Sequence, residues 1–212
     1  MSIGRPEIRY EKKICIICEG YEEYDYIETL CNLNVWNDKY KIDLVNAESN
    51  GNIAARYQEK YMSDSYDLVL IFCDTDKLPY EDYNVIKQKI NRFHGNSKSA
   101  EKVFIYGNPC TMQIILMHFD DIKLTSHKKN KNATEIKRLT GIEQYGAHKH
   151  QREQLCNLID KENYELMKQR IRGIPSNDNY VSSSNFDFFA DCLEGTNYQW
   201  IDDINKVLEE TD

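Results

Sequence analysis

Apolar and polar positions follow two rhythms along this chain. Leu68–Cys73 (LVLIFC) is an unbroken apolar run that ends in Asp74 and Asp76 before Pro79 and Tyr80 turn the chain away. A run of this length, rich in Val, Ile and Phe and closed by turn residues, predicts a strand buried on both faces, as in a parallel sheet. Lys12–Cys18 (KKICIIC) is a second β-branched run, ending in Glu19-Gly20. Lys41–Asn46 (KIDLVN) alternates, and Lys102–Tyr106 (KVFIY) stops at Gly107-Asn108-Pro109. Between these strands the period lengthens to that of a helix. Tyr26, Ile27, Leu30 and Leu33 mark one over Tyr21–Leu33, Ile53, Ala54, Ala55 and Tyr57 a second over Gly51–Met62, and Tyr83, Ile86, Ile90 and Phe93 a third over Tyr83–Phe93. The order β-α-β-α-β-α-β predicts an α/β fold, a parallel sheet flanked by helices with right-handed crossovers.

Beyond residue 110 the pattern changes. Thr111–Phe119 (TMQIILMHF) is too long and apolar for a typical strand and reads as a helix packed on the sheet. Asp120–Asn132 is polar and basic and reads as a mobile loop. Helices are expected at Thr134–Leu139, Gln151–Ile159, Lys161–Ile171, Phe186–Leu193 and Tyr198–Leu208. Gly173–Ser184 reads as a linker, with Ser182-Ser183-Ser184 approaching a helix as its N-cap. The chain thus divides into an α/β domain over 1–120 and a C-terminal helical region over 121–212, packed on or over the first.

With 212 residues, 41% hydrophobic and 29% charged, the chain can bury a full core. No apolar run reaches the 18 or so residues a membrane span needs, and Met1–Glu11 shows no basic-then-apolar leader, so the expected compartment is the cytoplasm, with no membrane partner. Seven cysteines, an odd number set mostly in apolar segments, predict reduced buried thiols. Cys15 and Cys18 form a CxxC, but within a strand they face opposite ways, and no second CxxC completes a zinc site.

The acids at the strand ends change the picture most. Ligands of open α/β sheets bind at the carboxyl edge, where Glu19 and the pair Asp74/Asp76 are both expected. Carboxylates gathered there are costly unless a proton or cation neutralises them, and a hard divalent ion, Mg²⁺ or Mn²⁺, serves that purpose while leaving positions for phosphate oxygens. Gly20 would let the backbone approach a ligand closely. The plainer alternative is that Glu19 and Asp74 cap the helices that follow.

These same residues carry a resemblance. Ile16-Ile17-Cys18-Glu19-Gly20 followed by Ile71-Phe72-Cys73-Asp74-Thr75-Asp76 resembles the Toprim domain of topoisomerases, bacterial primases, OLD-family nucleases and M5-type ribonucleases. With Asn108-Pro109-Cys110 leading to His118-Phe119, residues 12–120 resemble more narrowly the RloB-like proteins found beside restriction and phage-defence genes. The resemblance implies that Glu19 acts as general acid or base in phosphodiester chemistry and that Asp74 and Asp76 bind Mg²⁺. Gly20, Asn108 and His118 match family landmarks without an implied role. In place of the acid usual in the family after Asn-Pro-Cys stands Thr111-Met112-Gln113.

Charge is unevenly spread. The chain carries a net charge of −8, yet residues 123–172 hold 12 basic and 6 acidic side chains, whereas residues 173–212 hold 1 and 9. Lys128, Lys129 and Lys131, then His148, Lys149, His150 and Arg152, then Lys168, Arg170 and Arg172, with Lys77 beside the acids, make a candidate surface for DNA or RNA. The alternative is a solvated helical face. His148-x-His150 lacks a third metal partner. Tyr21, Tyr24 and Tyr80, near the acidic edge, are candidates to stack on bases, the commoner alternative being helix–sheet packing. The function expected is therefore a metal-dependent nuclease or related phosphodiester-cleaving enzyme acting in defence against phage or foreign DNA. The rival is a non-catalytic nucleic-acid-binding or interaction subunit on the same scaffold. A phosphatase with Asp74 as nucleophile would leave Glu19 without a task. Self-association, or a defence-system partner protein, is expected by analogy with other Toprim assemblies.

Overall fold

The computed structural model describes residues 11–212, so the leader reading for Met1–Glu11 falls almost wholly outside the described residues. The protein is α/β: β1 (Lys12–Cys18), α1 (Tyr21–Asn32), β2 (Tyr40–Asn46), α2 (Asn50–Met62), β3 (Leu68–Asp74), α3 (Glu81–His94), α4 (Ser99–Val103), β4 (Phe104–Asn108) and α5 (Met112–Leu116) come first. Then follow α6 (Lys129–Thr140), α7 (Lys149–Cys156), α8 (Lys161–Ile171), β5 (Ser183–Ser184), α9 (Phe186–Glu194) and α10 (Gln199–Glu209). One sheet has the order β2-β1-β3-β4-β5, its first four strands parallel and β5 antiparallel at the edge.

The buried strands match the apolar runs that predict them. Leu68 to Cys73 and Ile14 to Cys18 are all buried, and one hydrophobic cluster continues from Ile14 to Leu208 through the C-terminal helices. Chain direction reverses across the sheet between β1 and β3. From β1 the chain steps outward to β2, then returns past β1 to β3. With right-handed crossovers, this puts α1 on one face and the packed pair α2 and α3 on the other. A crevice opens at such a reversal, outside the strands' carboxyl ends. At the opposite end of the sheet α10 crosses beneath the strands, where Asn205 Nδ2 donates to Asp67 O (2.8 Å) and Trp200 Nε1 to Tyr40 Oη (3.0 Å). On the α1 side, Trp36 Nε1 donates to Tyr164 Oη of α8 (3.0 Å), which donates to Glu194 of α9 (2.6 Å).

Four local expectations are corrected. Lys102 and Val103 close the short helix α4 instead of opening β4, because Ala100 and Val103 are buried in the core as a helical turn. The helix after Thr111 ends at Leu116, where the buried His118 turns its ring toward Tyr26 and Asn163. The basic segment is loop only to Lys128; Lys129 and Lys131 lie on α6. The serine-rich linker supplies a strand: Ser183 and Ser184 are buried beside Asn108 and Gly107, and Ser184 Oγ donates to Tyr106 O at 2.8 Å. Asn185 extends the ladder with its side chain, accepting from Tyr106 N (3.0 Å) and donating to Phe104 O (2.7 Å). The serines still serve the helix start, since Ser184 Oγ accepts from Phe186 N at 3.1 Å.

Candidate functional site

Strand register alone brings the first two acids together. Cys18 of β1 pairs with Phe72 of β3, so Glu19 and Asp74 leave adjacent strands at the reversal point. Glu19 Oε2 accepts the backbone N–H of Asp74 at 3.0 Å. Asp74 Oδ1 accepts twice from Thr111, from the backbone N–H at 2.5 Å and the hydroxyl at 2.7 Å. Among the described residues, no protein donor takes Asp74 Oδ2. Asn50, at the start of α2, stands between Glu19 and Asp76. With its nitrogen turned to Glu19, the better-satisfied orientation, it donates to both carboxylate oxygens at 3.0 Å. Asp76 sits two residues on with a left-handed backbone (φ 59°), a conformation uncommon outside glycine, and lines a cavity of about 280 Å³ with Lys77, Glu81, Asp82, His127 and Lys128.

The sequence reading missed several members of this cluster. Glu23, read only as part of an acidic helix, is buried and caps α1 by accepting from Gly20 N (3.0 Å). The signal was Glu at the third helical position, the acidic half of a capping box. Glu22 takes an ion pair from Lys129 and a hydrogen bond from Tyr145 (3.0 Å). Thr111 serves Asp74 as donor. No pattern in a single sequence identifies that pairing across 37 residues.

The electrostatics follow from crowding. Burial first, then the Glu23 charge, push Glu19 up to about 8, while the Asp74 N–H pulls the other way. Burial and Glu22 push Glu23 up to about 6. Asp74 is raised well above the carboxylate range by burial, Glu23 and Glu19, against the opposing pull of Thr111. Burial works against the Lys129 ammonium, and Glu22 outweighs it, so that its pKa is raised.

Among the described residues no three His, Cys, Asp or Glu side chains form a preformed metal group, so Glu19, Asp74 and Asp76 do not close as a three-ligand cluster. A Mg²⁺ ion needs less, because one or two carboxylates suffice when waters complete its shell. Asp74 Oδ2, without a protein donor and set among charges that disfavour its ionisation, fits that requirement.

The remaining expected residues divide between the site and its surroundings. Lys77 and Lys128 border the cavity at Asp76, and Lys129 reaches the cluster through Glu22. Lys131 is exposed on α6. Arg152 is tied to Asp25 (2.7 Å) and lies over the exposed ring of Tyr21 (5.1 Å), on the outer flank of α1. Lys149 pairs with Glu153, and His148 and His150 stack face to face on the surface. Lys168 is buried against Glu194, and Arg172 pairs with Asp191, away from the acids. Tyr80 is buried, its hydroxyl taken by Asn108, so it is not available to a base. Asn108 joins that loop to the Asp178 carbonyl (2.8 Å), and His118 is a core histidine between Tyr26 Oη (3.0 Å) and Asn163 Oδ1 (2.8 Å). Burial pushes its pKa down to about 4. Every cysteine among the described residues is free, and burial raises the thiols of Cys15, up to about 12, and Cys18. No described helix is long and apolar enough to cross a membrane.

Compared with family models, characterised proteins and solved structures, the chain matches none.

Proposed function

We propose that this chain is a Toprim-type, RloB-like enzyme that cleaves phosphodiester bonds in DNA or RNA with Mg²⁺ or Mn²⁺, in the cytoplasm, as part of defence against phage or foreign nucleic acid. The observation that carries the reading is the direct contact of Glu19 with Asp74 at the sheet's reversal point, at 3.0 Å. Asp74, with Asp76 across Asn50, would hold the ion. When bound, it supplies positive charge to the scissile phosphate. Thr111 fixes the Asp74 carboxylate by two hydrogen bonds to one oxygen and leaves the other open. Glu19, partly buried and held by the Asp74 N–H, would serve as the general acid or base for the proton that moves in the reaction. Lys77 and Lys128, set against Asp76, Glu81 and Asp82 around the cavity, would be the contacts for the phosphate backbone there.

A second reading is favoured by one specific feature: Thr111 stands where the family has an acid, which suits a scaffold that binds nucleic acid without cutting it. Calorimetry with Mg²⁺ and Mn²⁺ on the wild type and on Glu19→Gln/Asp74→Asn/Asp76→Asn, followed by incubation with single- and double-stranded DNA and RNA, separates the two. Metal binding and metal-dependent cleavage, both lost in the variant, support the enzyme. A folded wild type that binds no metal overturns it.

A further inference from the structure

The sheet ends at β2 on the side away from β5, and among the described residues nothing pairs with that edge. The direction of its free groups follows from the ladder. Cys18 pairs with Asn46, and Ala47 N donates to Cys18 O at 2.8 Å. In a parallel pair alternate residues bond the neighbour, so the odd-numbered residues of β2 face β1 and the backbone groups of Ile42 and Leu44 face outward. An unpaired edge of this kind is a template for another strand unless charge, proline or a bulge blocks it. Here proline and bulge are absent, and the two charges on the strand, Lys41 and Asp43, are of opposite sign and paired with each other, while Ile42, Leu44 and Val45 are only half-buried.

The side chains specify what would pair there. Lys41 and Asp43 project from one face of β2, with Lys41 Nζ 3.3 Å from Asp43 Oδ1. Tyr40, Ile42 and Leu44 project from the other. If a second β2 lies antiparallel about a two-fold axis through Ile42, each Lys41 faces the other copy's Asp43. On the opposite face Ile42 meets Ile42, and each half-buried Leu44 comes alongside the other copy's Tyr40, whose ring is already packed against Tyr198 and Trp200. Opposite charges and apolar residues directly across an antiparallel pair are favourable, and a two-fold arrangement makes every contact twice. A cavity of about 290 Å³, bordered by Trp36, Tyr40 and Ile42 together with Asn34, Asn37 and Asp38, adjoins this edge. A parallel partner in the same register would set Lys41 against Lys41 and Asp43 against Asp43.

We propose that the outer edge of β2 is a dimerisation surface, on which a second copy of this chain adds antiparallel about Ile42 to join two sheets into one. The two carboxylate sites then open at opposite edges of the joined sheet. This inference is independent of what those sites do.

Sedimentation equilibrium of the full chain over a concentration series from about 1 to about 100 µM tests it, with circular dichroism confirming the fold of each variant. The wild type is expected to pass from a 25.0 kDa monomer to a species of twice that mass. Ile42→Lys, which sets two lysines together on the axis, and Asp43→Lys, which sets lysine against lysine, are each expected to weaken association roughly tenfold or more. The double variant Lys41→Asp/Asp43→Lys restores opposite charges across the interface and is expected to recover it. A wild type that stays monomeric across the series overturns the proposal, as does a dimer indifferent to both single variants or one that the double variant fails to restore.

Discussion

Thr111 gives both of its donors to one oxygen of Asp74, its N–H at 2.5 Å and its hydroxyl at 2.7 Å. Among the described residues the other oxygen has no protein donor, as a cation-binding carboxylate requires. Removing the hydroxyl while keeping the volume, as in Thr111→Val, leaves the backbone donor but frees the carboxylate to rotate. Since a hydrogen bond to a charged group contributes about 1.5–3 kcal/mol, the variant is expected to bind Mg²⁺ roughly tenfold or more weakly. Thr111→Ser, which keeps the hydroxyl, is expected to bind like the wild type. Calorimetric titration of the three proteins checks this, and equal affinities would remove Thr111 from the site's design.

The crowded carboxyl of Glu19 predicts a stability profile of unusual sign. Its folded pKa is pushed up to about 8 from 4.5, so between those values the folded chain holds a proton that the unfolded chain has lost. Stability in metal-free buffer therefore falls as pH rises through this window. Glu19→Gln removes the linkage and is expected to gain on the order of 2 kcal/mol over the wild type at pH 8, and little at pH 5. Urea denaturation at both pH values measures the difference. A wild type as stable at pH 8 as at pH 5, relative to the variant, would contradict it.

His118 predicts the opposite slope over a range that overlaps the lower part of this one. Buried as a neutral ring between Tyr26 and Asn163, it has a pKa pushed down to about 4 from 6.5. The unfolded chain binds the proton that the folded chain refuses, so the contribution is whole above about 6.5 and is lost as pH falls toward 4. The loss approaches roughly 3 kcal/mol at about 1.4 kcal/mol per unit. His118→Gln, which retains polar atoms for both neighbours, is expected to flatten the acid limb of the thermal-stability profile. An unchanged limb would place the acid sensitivity elsewhere.

The contrast between Glu19 and His118 also marks what the sequence could disclose. The strands, the crossover helices and the meeting of Glu19 with Asp74 were legible, because buried parallel strands need continuous apolar runs and residues following such runs share one edge. What lay beyond reach was side-chain pairing across long separations. Thr111 to Asp74, Lys129 to Glu22 and Asn108 to the Asp178 carbonyl join segments that no periodicity relates. The strand Ser183–Ser184 was hidden for another reason, since its polar residues satisfy the ladder through hydroxyls and the neighbouring amide of Asn185 instead of through apolar burial. The basic block was visible as composition, but composition does not show which charges are already spent on the protein's own acids.

That distinction gives the final prediction. Lys77 and Lys128 border the cavity at Asp76 and carry no ion pair among the described residues, whereas Arg152 is held by Asp25 at 2.7 Å with both side chains largely buried. If the cavity receives a phosphate backbone, Lys77→Ala and Lys128→Ala should each weaken binding to any sequence and reduce the slope of log K against log salt by roughly 0.7–0.9. Arg152→Ala should leave that slope unchanged and instead cost about 1–3 kcal/mol of stability, because it strands the Asp25 charge. Fluorescence anisotropy with a labelled oligonucleotide between about 50 and about 200 mM salt, paired with thermal melts of each variant, reads both effects. Lysine variants that bind with unchanged salt dependence would move the nucleic acid away from Asp76, and a slope lowered by Arg152→Ala would move it to the outer flank of α1.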